Sequence, residues 1–180
     1  MRALTLVLAL LFTANTVHAD IAWQVDRFGP GSLMVMKDRS GAMTHVARGT
    51  EGNLHVFDVY DGTGGSADFV GRYKTTARGD VVETVAFDGA VTRFVPNRCN
   101  RTEGTCRFTM IHPDGFAEPR TRVTRATRAG LRYREFGLDG LMAEGALELD
   151  GNGAAKAGWT TDAPNEERKL RVRRVLVALK

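Results

Sequence analysis

Two cysteines among 180 residues are too few for a disulfide-dense miniprotein, and twenty glycines fall far below the one in three of collagen. After the first twenty residues no stretch approaches the ~18 consecutive apolar residues of a membrane-spanning helix. Aromatics make up 8% of the chain, thin provision for the two girdles of an outer-membrane barrel, and charges interrupt the segments that would face lipid. No segment carries three turns of amphipathic helical periodicity. The chain is 43% hydrophobic and 26% charged, close to globular averages. That balance excludes global disorder, and the length is enough for one domain with a real core.

Motifs that would name an activity are also missing. The glycine run from Asp61 to Gly65 has no Gly-Lys-Ser/Thr ending and no following helix to receive a phosphate. Ser66 is not in a Gly-x-Ser-x-Gly elbow. Asp150-Gly151-Asn152-Gly153 looks like part of a calcium loop, but a frame begun at Glu148 puts Trp159 where a bidentate glutamate is required. A C-x-x-C pair is absent. Nothing here predicts a cofactor or a catalytic residue.

The most specific segment is the first. Arg2 precedes an apolar run from Ala3 to Phe12, followed by a polar stretch ending in Val17-His18-Ala19. A ten-residue apolar stretch is too short to span a bilayer, and the pattern predicts a secretory signal peptide over residues 1–19, cleaved to leave a chain beginning at Asp20. No cysteine follows the cleavage site to carry a lipid anchor. Residues 20–180 then form a single domain, periplasmic or secreted. Loss of Arg2 lowers the formal charge of +4 by one. Residues 20–90 are net acidic and residues 91–180 net basic, which allows a basic face in the second half.

In an oxidising compartment Cys99 and Cys106, set symmetrically about a polar turn, predict a disulfide across a hairpin. Short β-branched and aromatic segments alternate with Gly- and Asp-containing turns along the whole domain. Strands are expected at 22–28, 32–37, 42–48, 53–60, 68–76, 81–87, 91–95, 105–112, 120–127, 131–136, 141–149, 154–160 and 169–179. The segment 163–174 is a possible single helical turn leading into the last strand. The Asp-Gly pairs at Asp61, Asp88, Asp114 and Asp139 recur at nearly constant intervals, as one hairpin repeated along a meander would place them. The expected fold is all-β: an antiparallel meander closed or nearly closed into a barrel, with a two-sheet sandwich as the alternative.

Two constellations could carry chemistry. His45 and His55 flank Gly49-Thr50-Glu51; a three-residue loop there would set them side by side as a weak metal pair lacking a third ligand. Arg120, Arg122, Arg125, Arg128, Arg132 and Arg134 crowd into fifteen residues. With a turn at Ala129-Gly130, Arg125 would oppose Arg134 and share a face with Arg132, a candidate anion site. Leu33, Val35, Val46, Leu54, Val56, Phe57, Phe69, Val85, Phe87, Phe94 and Phe108 make the expected core. Met34, Met36 and Met43 could line an adaptable cavity, though they read more simply as core filling. Trp23 and Trp159 are placed near the ends or rim.

These features support a non-catalytic exported domain that binds a small amphipathic or anionic envelope component. An envelope interaction or assembly protein working through a sheet edge or rim is the alternative. A metal-dependent hydrolase on His45 and His55 has the least support. Export and the scarcity of interleaved aromatics argue against nucleic acid.

Overall fold

A computed structural model describes residues 28–37, 41–62, 68–100, 103–149, 155–162 and 166–173. The expected signal peptide, the expected first strand at 22–28 apart from Phe28, Trp23 and Asp150–Gly153 lie outside these residues. The described chain is all strand and turn, with no helix. The strands are β1 (Leu33–Lys37), β2 (Ala42–Glu51), β3 (Leu54–Asp61), β4 (Asp68–Thr75), β5 (Val81–Ala86) and β6 (Val91–Arg98). They continue with β7 (Gly104–Ile111), β8 (Ala117–Thr127), β9 (Gly130–Gly137), β10 (Gly140–Leu149), β11 (Ala155–Asp162) and β12 (Glu166–Arg173).

Each strand pairs antiparallel with the next, in one sheet, so the two-sheet alternative does not apply. The last strand also meets the first, through Val35↔Arg173, Met36↔Val172 and Lys37↔Arg171. The last expected strand, 169–179, overlaps β12, which starts earlier at Glu166 within the segment read as a helical turn and pairs with β11 from Asp162↔Glu166 to Ala157↔Arg171. A helix this short is marginal by itself, whereas a strand there has a waiting edge on β11.

The turns explain the register. Three hairpins, at Thr76–Asp80, Ala86–Ala90 and His112–Phe116, share one loop. The amide of the fourth residue, a glycine, donates to the carbonyl of the first, and the first and fifth residues pair again. Gly79, Gly89 and Gly115 have φ of 84°, 85° and 86°, the left-handed conformation that closes a three-residue hairpin with a bulge. Asp88 and Asp114 each accept a hydrogen bond from the amide two residues on, at 2.9 Å, as turn aspartates do.

Side chains alternate between two faces. On one face Phe28, Met34, Ala47 and Phe57 form a buried cluster with Met36 and Tyr73 packed against it, and Phe94 meets Phe108 edge-on at 6.0 Å. The opposite face carries charge. Arg48 and Arg72 donate to Asp58 at 2.6 and 2.7 Å, Lys74 joins Glu51 and Glu83 at 2.8 and 3.3 Å, and Arg93 reaches Glu83 at 3.3 Å. A barrel surface facing lipid would need an apolar band where this ladder lies. No helix among the described residues is long and apolar enough to cross a membrane.

Of the expected core, Val35, Val56, Phe57, Phe94 and Phe108 are buried, but Phe69 and Phe87 are 44% and 75% exposed. Phe87 sits in the β5–β6 turn rather than in a strand. Cys99 and Cys106 lie within disulfide distance, with Cα atoms 6.2 Å apart.

Candidate functional site

On the apolar face lies a cavity of about 390 Å³, lined from strands around much of the sheet. Met34, Met36, Phe94, Leu131 and Leu147 supply its apolar wall. The volume falls in the range of small-molecule sites. Met34 and Met36 therefore both fill core and border the cavity, while Met43 is 39% exposed. Trp159 borders this cavity and two further depressions.

The polar groups of the cavity are unusual in how they are partnered. Arg98 (β6) and Arg122 (β8) converge on one carboxylate oxygen, Glu135 Oε2 (β9), with Arg98 Nη2 at 2.9 Å and Arg122 Nη1 at 3.0 Å. Arg122 is 4% exposed and its guanidinium lies 3.7 Å above the Tyr133 ring. Burial, then the neighbouring Arg98 charge, pulls the Arg122 pKa below its usual value. Two guanidiniums against one carboxylate leave an excess positive charge; the Arg98 side chain is one-third exposed, but Arg122 and Glu135 are buried, where an incompletely partnered charge is costly. Arg122 Nε has no hydrogen-bond partner within the described protein, and the same holds for Thr75 Oγ1 and His45 Nε2 on the cavity wall.

His45 is buried, and its Nδ1 lies 3.1 Å from the Tyr73 hydroxyl. Burial lowers its pKa from 6.5 to about 4, so the imidazole is neutral near pH 7. His45 and His55 are not brought together. The β2–β3 turn is Gly52-Asn53, with Gly52 at φ 60°, whereas Gly49 is spent on a bulge after Ala47. In consequence His45 pairs with Val59 and His55 with Thr50. Among the described residues no group of three His, Cys, Asp or Glu could hold a metal ion.

The arginine run divides by parity. The β8–β9 turn is Arg128-Ala129, one residue earlier than expected, so Arg125 opposes Arg132, and Arg134 opposes Val123. Arg125, Arg132 and Arg134 do share a face, the one opposite the cavity, around a depression of about 550 Å³. Arg134 is tied to Glu144 at 3.1 Å. Arg122, three residues before Arg125, points to the cavity. Sequence reasoning grouped the arginines by proximity and passed over Arg98, Arg122 and Glu135 as a site. The even-odd alternation along β8 was the signal that could have separated Arg122 from Arg125.

No family model matches the sequence, and neither a curated protein nor a solved structure shows significant similarity to it.

Proposed function

We propose that this chain is an exported, non-catalytic β-barrel, closed along the β1–β12 seam, that binds a small amphipathic anion in its cavity. Closure is supported by the three residue pairs joining the first strand to the last. Export rests on the signal peptide pattern of residues 1–19, and N-terminal sequencing of the exported protein should begin at Asp20. The observation that carries the ligand reading is Arg122, buried, unpartnered at Nε and sharing one carboxylate with Arg98. An acidic headgroup there supplies the missing countercharge, while an apolar tail covers Met34, Phe94 and Leu131.

Calorimetric titration with dodecanoate, dodecanol and dodecyltrimethylammonium tests this reading. Dodecanoate should bind best, and Arg122→Met should weaken it by about tenfold to a hundredfold, the worth of one charge-assisted hydrogen bond. Equal binding of the anionic and cationic amphiphiles would defeat the proposal.

A second reading keeps Arg125, Arg132 and Arg134 as an outer anion site. It is favoured by the direct cross-strand opposition of Arg125 and Arg132, a pairing of like charges that a bound anion would relieve. Replacing all three by Gln should leave folding intact and weaken phosphate binding. Phosphate affinity unchanged across a salt series would remove this site.

A further inference from the structure

In an antiparallel meander, alternate turns lie at opposite ends of the sheet. The β3–β4, β5–β6, β7–β8 and β9–β10 turns share one end, and the β2–β3, β4–β5 and β8–β9 turns share the other. The two ends differ in kind. At the first end Phe87, Phe116 and Leu138 sit in the turns themselves, exposed by 75%, 56% and 72%. Phe69, Leu141 and Met43, at strand positions beside the same turns, are 44%, 44% and 39% exposed. Among the described residues, the β2–β3, β4–β5 and β8–β9 turns at the other end present Gly52, Asn53, Ala77, Arg78, Arg128 and Ala129, none of them large and apolar.

Turn geometry does not require this. The loops need glycine at the left-handed position and favour aspartate beside it, but nothing in them calls for an exposed phenylalanine or leucine. Single exposed apolar residues are ordinary; several gathered at one end of a molecule mark a contact surface. Successive tips on this end are separated by two strands, on the order of 10 Å, so they project as separate points rather than a flat patch. Asp88, Asp114 and Asp139 stand between them. Separate apolar points rimmed by carboxylates suit a soft, uncharged interface: the tips enter the boundary between headgroups and acyl chains while the carboxylates stay in water. The same carboxylates disfavour an anionic surface.

We propose that this end of the sheet docks onto a zwitterionic lipid surface through Phe87, Phe116 and Leu138. The surface is independent of the cavity, whose lining includes Gly79 and Asn100 from the opposite end.

The test is co-sedimentation of the processed protein, beginning at Asp20, with phosphatidylcholine vesicles, and with vesicles containing added phosphatidylglycerol. The protein should pellet with phosphatidylcholine, and added phosphatidylglycerol should not strengthen binding. The variant F87S/F116S/L138S should partition about a hundredfold more weakly at an unchanged melting temperature, given the apolar area removed. Should the triple variant misfold, Phe87→Ser alone is expected to weaken partitioning several-fold. Wild-type protein left in the supernatant overturns the proposal, as does an unaffected variant. Dimers that the triple variant dissociates, without vesicle binding, would also overturn it and make this end a self-association surface.

Discussion

A neutral imidazole buried beside a tyrosine makes the protein sensitive to mild acid. The His45 pKa is depressed from 6.5 to about 4 by burial, so the unfolded chain takes up a proton in a range where the folded one does not. The stabilisation is complete above pH 6.5 and is lost progressively as pH falls toward 4. Denaturant titrations should show a loss of about 2 kcal/mol between pH 7.5 and pH 5. His45→Gln should flatten that part of the profile whatever it does to stability at pH 7. Asp58 acts lower on the scale. Burial pushes its carboxyl up, but hydrogen bonds from Arg72 and Arg48 outweigh this and hold it below the usual carboxylate value. Its contribution is present above the ordinary carboxylate pKa and disappears as pH drops through the depressed one, so the two residues separate along the pH axis. At the cavity, Glu135→Ala would leave Arg98 and Arg122 facing each other without a countercharge. Removal of one partner from such a buried cluster costs about 3–5 kcal/mol, to be read as a fall in denaturation midpoint.

At the scale of elements, the hairpins rest on individual glycines. At Gly89 and Gly115 an added Cβ would meet nothing within 4 Å, so the cost of alanine there is purely conformational, about 1–2 kcal/mol each for a left-handed backbone. Thermal melts of the two single variants and the double should show near-additive losses, since the loops are separate. These loops were legible because Asp-Gly between alternating apolar residues has few other uses. The expected strands from β1 to β11 match observed ones, with boundaries differing by a few residues. What the sequence concealed was register. Gly49 and Gly52 both have positive φ, but only Gly52 makes the turn, and that turn position pairs His55 with Thr50 and keeps it from His45; Gly49 makes a bulge that moves the partner of His45 by one residue, to Val59. Likewise a one-residue shift of the β8–β9 turn moves the partner of Arg125 from Arg134 to Arg132. Period-two alternation magnifies such small shifts, since one residue sends a side chain to the other face. Candidate sites in β proteins are therefore less legible than strands. Phe87 illustrates the reverse error: its hydrophobicity argued for core, while its place in the loop put it in water.

Across the whole molecule, the Cys99–Cys106 pair and the β1–β12 pairing sit at opposite limits of sequence separation. The two cysteines, within disulfide distance, are separated by 7 residues. Replacing both cysteines by serine should lower stability by about 2.5 kcal/mol in the chain-entropy picture, measurable by comparing the melts of oxidised and substituted protein. The seam joins residues near 35 to residues near 172, whereas every other strand pairing joins neighbours in sequence. A chain crossing a membrane as an extended thread, one end first, meets these contacts in a favourable order. Each hairpin finds its partner as soon as the next strand emerges, with little loop entropy to overcome. For the exported barrel proposed above, only the edges of β1 and the newest strand would stay open, and the wait for closure would last as long as the rest of the chain takes to arrive. Those two edges are the part of the molecule most exposed to wrong partners during maturation.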